Sequence, residues 1–449
     1  MKITLILILF LLAFQTTRAQ TEKSVKDVLI ERVETAKSNP SIVVAVIDEK
    51  GANFFSDGAT NLNAGAKKSD ENTIFEIGSV TKVFPGTLLA EAVRRGEVKL
   101  DDPISKYLPA TVKTPTRGGK EITLLDLATQ TSALPRLPDN FAPQNPQNPY
   151  ADYTTERMYD FLSKYTLPRD IGASYEYSNL GVGLLGHILS LRAKMSYEDL
   201  VKTRILKPLG MNDTTITLAP AQKARTAHGF DEQGEASALW DFQSLAGAGA
   251  MRSTAKDMAK FVSANMGLTK TNLTESFSAA QKPQRDANGK MKIGLNWHIL
   301  PASNGEIIWH NGGTGGFRSF AGFNLAQKRG IVVLTNAAES VDDIGFHFLD
   351  AQMPLKKVKP FVAVGEKVLD EYVGEYELAP NVIFTITRQS DKLFAQLTGQ
   401  QTFRVFAASE KDFYYKAVNA QITFNRGANG KIESLTLHQN GDKIARKIK

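Results

Sequence analysis

Phe75-Glu76-Ile77-Gly78-Ser79-Val80-Thr81-Lys82 places a serine and a lysine three residues apart, where a strand-like run gives way to a helical one. On a helix, residues i and i+3 share a face, with Cβ atoms roughly 5–6 Å apart, so Lys82 can reach the hydroxyl of Ser79. A serine hydroxyl becomes an effective nucleophile when an adjacent base takes its proton. The apolar residues that follow Lys82 can bury its stem, and burial lowers the pKa of an amine. The stretch therefore predicts a nucleophile beside its base.

The same Ser-x-x-Lys pattern recurs at Ser253 and Lys256. Chance alone produces such a pattern roughly twice in a chain of this length. The second copy follows a Gly-Ala-Gly run and is typical of a helix start, with Ser253 or Thr254 as the N-cap. Other motifs must therefore identify the reactive serine.

Tyr177-Ser178-Asn179 is the only Tyr-x-Asn in the chain, and a helical run begins directly after it at Leu180. A phenol beside a lysine can share its proton-transfer role, and an asparagine amide can orient both the lysine and a substrate. The alternative interpretation is a buried tyrosine followed by a helix-capping Ser or Asn.

A glycine-rich segment, His310-Asn311-Gly312-Gly313-Thr314-Gly315-Gly316, follows the predicted strand Ile307–Trp309. Glycines at a strand edge let the backbone approach a substrate and aim N–H groups at it. The segment lacks the Gly-x-x-x-x-Gly-Lys-Ser/Thr pattern of a phosphate loop. The six histidines are dispersed without a His-Glu-x-x-His motif, so the sequence predicts no metal site, and His187 in an apolar helix is interpreted as structural.

The composition sets the broad class of the protein. The 449 residues are 42% hydrophobic, which is ample for two domains. The absence of cysteine excludes disulfides, cysteine nucleophiles, Cys-ligated metals and a lipid-modified N-terminal cysteine. The formal charge of +7 is scattered rather than concentrated in a stripe with aromatics, which argues against a nucleic-acid partner.

Residues 1–19 have the pattern of a secretory signal peptide. Lys2 supplies a short positive region, Ile3 to Phe14 an apolar region, and Thr17-Arg18-Ala19 a cleavage site with small residues. The apolar region is too short to span a bilayer comfortably as a helix, so we expect cleavage rather than retention as an anchor. The expected location is the periplasm or the extracellular space, without stable membrane insertion.

Residues 20–352 are predicted to form one α/β (α+β) domain. Its predicted strands lie at both ends of the segment, at Ser41–Asp48, Ala52–Ser56, Ile293–Leu300, Ile307–His310, Ser319–Asn324 and Gly330–Thr335. Predicted helices cover roughly Ser24–Ser38, Lys82–Arg95, Leu124–Thr129, Thr155–Lys164, Gly181–Ala193, Ser196–Ile205 and Val341–Gln352. This order suggests a sheet that unites both ends of the domain around an inserted helical lobe.

Three further segments have a distinct composition. A proline-rich loop between Ala133 and Tyr153 is either functional or a rigid surface excursion. Residues 353–365 form a basic, proline-containing linker. From 366 to 449 the hydrophobic period changes to two, which predicts a small all-β barrel or sandwich with an accessory role. Its predicted strands are Val382–Thr387, Lys392–Leu397, Phe403–Ala408, Phe413–Ala417, Gln421–Asn425 and Ile432–His438.

Taken in order, Ser79-x-x-Lys82, Tyr177-x-Asn179 and His310-x-Gly312 resemble the motifs of the serine β-lactamase and penicillin-binding protein superfamily. The chain looks closest to the class C branch (peptidase S12 type), which also holds DD-peptidases, D-aminopeptidases and carboxylesterases. The resemblance covers roughly residues 25–350. It implies an antiparallel sheet flanked by helices, and the appended domain resembles the lipocalin-like barrels found on some members.

The resemblance also implies roles for individual residues. Ser79 is the acylated nucleophile, and Lys82 and Tyr177 manage its proton, either of them being the base. Asn179 positions Lys82 and the substrate amide, and His310 lines the pocket opposite Tyr177. The N–H groups of Ser79 and Gly313 form the oxyanion hole, and Gly312 lies beside the substrate.

The chain departs from the class C pattern at two points. Thr81 stands where Ser or Ala usually precedes the motif lysine, and there is no Lys-Thr/Ser-Gly anywhere in the chain. In β-lactamases that lysine helps to bind the substrate carboxylate, whereas His310 is largely neutral near pH 7.

The sequence thus predicts an exported, cofactor-free serine hydrolase acting on a small-molecule or peptidoglycan-derived amide, as a β-lactamase or a D-amino-acid peptidase. The alternatives are a carboxylesterase and a non-catalytic penicillin-recognising protein.

Overall fold

The computed structural model describes residues 24–449, which fold into two compact units. The larger unit is formed by Pro40–Phe230 and Ala236–Lys356, and the smaller by Leu29–Asn39, Asp231–Glu235 and Lys357–Lys449. The predicted signal peptide at 1–19 lies outside the described residues. Within 24–449, no helix is long and apolar enough to cross a membrane.

The larger unit is built on an eight-stranded antiparallel sheet. Ser41–Asp48 is buried along almost its whole length because it pairs on one side with Gly51–Gly58 and on the other with Arg329–Thr335. The sheet therefore joins the two ends of the unit, as predicted. In spatial order its strands are Gly51–Gly58, Ser41–Asp48, Arg329–Thr335, Arg318–Asn324, Gly305–Gly313, His298–Ala302, Lys292–Ile293 and Arg285–Asp286.

Helices cover both faces of this sheet. Helix Ala255–Asn265 places Val262 against Gly330, and helix Asp342–Leu349 places Gly345 against Phe320. Gly330 pairs with Phe323. Because Phe320 lies three residues from Phe323 on one strand, the two helix contacts fall on opposite faces. The predicted α/β (α+β) layering is therefore confirmed.

The other helices form the predicted lobe and support the sheet. Several begin at a Ser or Thr whose side chain accepts a backbone N–H, among them Thr154, Ser178 and Ser196. The α-helices are Val83–Arg94, Leu124–Ala128, Thr155–Lys164, Asn179–Ala193, Tyr197–Val201, Lys207–Leu209, Pro220–Lys223, Ala246–Gly249 and Thr274–Gln281. The larger unit also contains the 3₁₀ turns Gly78–Lys82 and Ile104–Lys106 and the π-helix Lys202–Leu206, whereas the π-helix Ile30–Thr35 belongs to the smaller unit.

Three two-stranded pairings complete the larger unit. They join Ile74–Glu76 with Arg252–Thr254, Thr116–Arg117 with Lys120–Glu121, and Gly229–Phe230 with Ala236–Ser237.

One predicted strand is divided in the structure. Ile293–Leu300 was expected to be continuous, but the strands are Lys292–Ile293 and His298–Ala302, which pair with each other. The chain reverses between them, with Asn296 at φ 63° and the N–H of Gly294 bonded to the carbonyl of Trp297. Asparagine is one of the few residues that tolerates this left-handed conformation, so a hairpin replaces the predicted single strand.

The smaller unit contains a closed eight-stranded antiparallel barrel, which confirms the predicted all-β domain. Its interior is apolar, with Tyr376, Ile422 and Leu435 fully buried. Helix Glu366–Tyr372 precedes the barrel. The strands are Gly374–Ala379, Val382–Gln389, Lys392–Leu397, Phe403–Ala407, Asp412–Tyr414, Gln421–Arg426, Ile432–His438 and Asp442–Lys447.

Candidate active site

Ser79 and Lys82 lie on the short 3₁₀ helix that links strand Ile74–Glu76 to helix Val83–Arg94. In a 3₁₀ helix, side chains at i and i+3 eclipse one another, and Lys82 Nζ lies 2.9 Å from Ser79 Oγ. Ser79 is partly exposed, whereas Lys82 is fully buried. The structure therefore brings together the two residues of the predicted nucleophile–base pair.

The lysine is held from a second direction. Lys82 Nζ donates to the carbonyl of Ala248 at 2.6 Å, and the hydroxyl of the preceding Thr81 accepts a bond from the N–H of Met251. Burial lowers the pKa of Lys82 well below 10.5, and the nearby charge of Arg136 lowers it further. This environment favours the neutral amine, which can accept a proton.

Tyr177 stands directly beside this pair. Lys82 Nζ lies 4.8 Å from the centre of the Tyr177 ring, and the Tyr177 hydroxyl is hydrogen-bonded to Ser79. Burial raises the pKa of the phenol, against the smaller, opposing effect of the Ser79 hydrogen bond. Tyr177 therefore keeps its proton at neutral pH, while the amine of Lys82 is predisposed to be free of one.

Ser178 fixes the position of this tyrosine. Its hydroxyl accepts the N–H of Gly181 at 2.8 Å as the N-cap of helix Asn179–Ala193, and it donates to the carbonyl of Pro135 at 2.6 Å. Its own N–H donates to Gln130 Oε1. The predicted capping role of this tripeptide and its placement beside Ser79 are thus both present.

Asn179 is buried next to the site with a different partner from the one expected. Its amide nitrogen donates to the hydroxyl of Tyr150 at 2.9 Å, and its Oδ1 is buried without a hydrogen-bond partner among residues 24–449. The bonds of Lys82 go instead to Ser79 and Ala248. That Asn179 positions Lys82 and the substrate stays a prediction.

His310 lies across from Tyr177, with 6.2 Å between the ring centres. It stacks on His298 at 4.8 Å, a neighbour that the sequence did not reveal. Burial lowers the pKa of His298 to about 4 and that of His310 well below 6.5. Both imidazoles are therefore neutral near pH 7, and this wall of the site carries no histidine charge.

The glycines after His310 pack tightly against the turn that carries Ser79. A Cβ on Gly78, which has φ +47°, would lie 2.6 Å from the nitrogen of Gly313. A Cβ on Gly312 would lie 2.0 Å from the carbonyl oxygen of Ile77. The Gly313 backbone thus adjoins the turn that carries Ser79, as an oxyanion hole shared by their N–H groups requires.

The remaining sequence candidates lie in structural settings. Ser253 sits on strand Arg252–Thr254 and shares a 2.8 Å hydrogen bond with Thr214, while Thr254 is the N-cap of the following helix. His187 is hydrogen-bonded to Tyr159, and burial lowers its pKa. Within residues 24–449, no group of three or more His, Asp or Glu side chains is placed to hold a metal ion.

The proline-rich loop also reaches the site. It contributes Tyr150, the partner of Asn179, and Arg136, whose guanidinium carbon lies 5.1 Å from the centre of the Tyr177 ring. The sequence drew attention to this loop but to neither residue, because neither belongs to a motif.

The sequence and the fold of this chain are similar to those of known proteins. A family model described as Beta-lactamase matches residues 27–349, and one described as Domain of unknown function (DUF3471) matches residues 359–447. A protein named Beta-lactamase from Escherichia coli (strain K12) is 30% identical, over 66% of this chain and 84% of that protein. D-alanyl-D-alanine-carboxypeptidase/endopeptidase AmpH from the same strain is 29% identical, over 68% of this chain and 83% of that protein. The crystal structure of a class C beta lactamase from Rhodobacter sphaeroides matches with a TM-score of 0.61 and 25% identity, over 71% of this chain and 94% of that one.

Proposed function

The chain belongs to the Beta-lactamase family, and we propose that it is an exported serine hydrolase that forms an acyl-enzyme on Ser79 and then hydrolyses it. The observation that carries this proposal is the 2.9 Å contact between Ser79 Oγ and the buried amine of Lys82. A buried neutral amine at hydrogen-bond distance can remove the serine proton as the oxygen attacks.

The proposed reaction has two stages. Ser79 Oγ attacks the substrate carbonyl while Lys82 takes its proton, and the N–H groups of Ser79 and Gly313 bind the oxyanion of the tetrahedral intermediate. Tyr177, which burial keeps protonated, then donates a proton to the leaving nitrogen or oxygen and is reprotonated by Lys82. Water attacks the acyl-enzyme by the same route and releases the acid.

For the substrate we propose an amide of the β-lactam or D-alanyl-D-alanine type. The names of the two relatives from Escherichia coli refer to substrates of these two types. A carboxylesterase is the second candidate. It is favoured by the neutral imidazole of His310, which stands where the β-lactamase pattern has a lysine that binds the substrate carboxylate.

A substrate panel separates these functions. Nitrocefin, a peptide ending in D-Ala-D-Ala, a p-nitrophenyl ester and a fluorescent penicillin are tested on the wild type, Ser79→Ala and Ser253→Ala. Nitrocefin turnover identifies a β-lactamase, ester turnover alone an esterase, and a stable penicillin adduct a DD-peptidase or a penicillin-recognising protein. Ser253→Ala is the matched control, because it removes the serine of the second Ser-x-x-Lys. Full activity in Ser79→Ala would refute the mechanism.

We also propose that the protein is exported. The support is the basic, then apolar, then small-residue order of residues 1–19. N-terminal sequencing of the protein recovered from the periplasm or medium should begin at Gln20, and an intact Met1 would contradict cleavage.

A further inference from the structure

Arg136 is an exposed cation at the edge of the proposed active site. Its guanidinium lies over the ring of Tyr177, 5.1 Å from the ring centre. Among residues 24–449, no carboxylate forms an ion pair with Arg136 and its side chain makes no hydrogen bond. Its charge nevertheless acts on the site, because it lowers the pKa of Lys82.

The backbone of Arg136 is fastened to the Tyr177 motif. Its carbonyl accepts the N–H groups of Asn179 at 3.0 Å and Leu180 at 3.3 Å, and the preceding Pro135 carbonyl accepts the hydroxyl of Ser178. Ala133 holds the left-handed conformation at φ 61°, which is costly for a non-glycine residue and persists only where the surroundings enforce it. The backbone that carries Arg136 is therefore held in place by hydrogen bonds to the segment Ser178–Leu180.

The other basic groups at the site do not offer a free positive charge. Burial keeps His298 and His310 neutral near pH 7 and lowers the pKa of Lys82, whose amine is enclosed between Ser79 and the carbonyl of Ala248. Arg318 donates to the carbonyls of Thr314 and Phe317. Arg318 is charged as well, but its charge also acts on the carboxylate of Asp342. Within the described residues, Arg136 is the cation at this site whose charge and N–H groups are both left for a ligand.

An arginine in this setting is suited to one kind of ligand. Its planar group can stay stacked on the phenol of Tyr177 while its N–H edge remains free, and that edge matches the two oxygens of a carboxylate. A carboxylate bound there would lie next to the reacting carbonyl, because Tyr177 also contacts Ser79.

We propose that Arg136 is a specificity-determining residue that binds a carboxylate of the substrate, in place of the lysine that this chain lacks at His310. The inference rests on the proposed acylation of Ser79. It predicts a preference for substrates that carry a carboxylate, on either the acyl group or the leaving group.

Two pairs of esters test this inference and locate the carboxylate. In the first pair, the acyl group of an N-acylglycine 4-nitrophenyl ester ends in a carboxylate or in the isosteric carboxamide. In the second, the leaving group of a phenylacetylglycyl ester is 3-hydroxybenzoate or 3-hydroxybenzamide. The measured quantity is the ratio of kcat/KM for carboxylate over carboxamide, in which any general effect of a substitution cancels.

The wild type should prefer the carboxylate in one pair, and Arg136→Gln should lower that ratio about tenfold or more, as expected for loss of a charge-assisted hydrogen bond. Arg136→Lys should retain part of the carboxylate preference. High salt should reduce the wild-type ratio, since charge pairs near solvent are screened. Arg94→Gln, an exposed arginine at the far end of helix Val83–Arg94, should match the wild type.

A wild type without carboxylate preference in either pair, or an unchanged ratio in Arg136→Gln, would overturn the inference. So would loss of the preference in Arg318→Gln instead. The same comparison can be made without turnover by calorimetry. Each carboxylate product and its carboxamide analogue are titrated into Ser79→Ala and into the double variant Ser79→Ala/Arg136→Gln, and their affinities are compared. Failure of acylation alone would therefore refute the proposed function while leaving the role of Arg136 measurable.

Discussion

At the scale of single residues, the decisive feature is an amine that is removed from water. Lys82 is fully buried between Ser79 and the carbonyl of Ala248. Burial disfavours an ammonium there and lowers the pKa of Lys82, which favours the neutral amine that the proposed base requires. Arg136 adds to the effect by its positive charge.

The pH dependence of acylation follows from this. Because the reaction needs the neutral amine, kcat/KM should rise with pH as Lys82 loses its proton, with a midpoint well below the ordinary lysine pKa of 10.5. Arg136→Gln removes a nearby positive charge and should move that midpoint to higher pH, whereas Arg94→Gln should not. The measurement is a pH–rate profile with a neutral ester. A midpoint at the ordinary lysine value, or one that Arg136→Gln leaves in place, would contradict the assignment of Lys82 as base.

Gly78 provides a second test at this scale. Ala at φ +47° costs roughly 1–2 kcal/mol of stability, and its Cβ would also press on the nitrogen of Gly313. Gly96 has φ +70° with open space around it, so Gly96→Ala is the matched control for strain alone. In denaturant unfolding, Gly96→Ala should lose about 1–2 kcal/mol, and Gly78→Ala should lose more, because its Cβ also meets the Gly313 backbone. Gly78→Ala alone should also lose ester hydrolysis, on the order of a hundredfold, because the oxyanion hole is displaced. Equal activity in the two variants would refute a role for this contact.

At the scale of elements, the site depends on the connection between the loop before Tyr150 and the helix Asn179–Ala193. Ser178 makes that connection through the N-cap bond to Gly181 and the bond to Pro135. Ser196 caps the helix Tyr197–Val201 and lies outside the site. Replacing each serine in turn therefore distinguishes the loss of a helix cap alone, at Ser196, from the loss of a cap together with the bond to the loop, at Ser178.

Ser178→Ala and Ser196→Ala should each cost about 0.5–2 kcal/mol of unfolding free energy through the lost cap. Only Ser178→Ala should also reduce kcat/KM, because it removes one of the three hydrogen bonds that hold the loop segment carrying Arg136. Thermal unfolding and ester kinetics measure the two effects. If Ser178→Ala retains wild-type kinetics, the loop does not depend on this link.

The same elements show what the sequence could and could not predict. The i, i+3 spacing of Ser79 and Lys82 and the capping pattern at Ser178 are local, and both appear in the structure. His298 and Arg136 enter the site through strand register and loop path, which depend on distant parts of the chain. Asn179 is local as well, but its partner Tyr150 comes from the loop, so its hydrogen bond was not foreseen.

Strand prediction failed where a turn or a pairing decided the outcome. The run Ile293–Leu300 is apolar enough for one strand, yet Gly294 and Asn296 reverse it. The first and last barrel strands were missed because Glu375, Glu377 and the basic residues after Asp442 weaken the alternation. They exist because they pair with each other, Tyr376 with Lys447 and Glu377 with Arg446, and so close the barrel.

At the scale of the whole molecule, each unit has its own apolar core. The barrel core includes Leu435, which is fully buried, whereas Ile444 on the neighbouring strand is 64% exposed. Leu435→Ala should destabilise the barrel by about 2–5 kcal/mol through lost burial and a cavity. Ile444→Ala should change its stability by less than about 0.5 kcal/mol.

Limited proteolysis that monitors cleavage within residues 366–449 distinguishes these barrel variants. Leu435→Ala should be cut faster than the wild type, and Ile444→Ala at the wild-type rate. Equal resistance of all three proteins would show that the barrel does not depend on this core.

In the proposed reaction, one serine of the whole chain, Ser79, carries the acyl group. The most direct test of this assignment is intact-mass and peptide-mapping mass spectrometry after brief reaction with a penicillin or an activated ester and an acid quench. We expect one acyl group per chain, located on the peptide that contains Ser79, present in Ser253→Ala and absent in Ser79→Ala. An adduct that persists in Ser79→Ala, or that maps to another residue in the wild type, would contradict it.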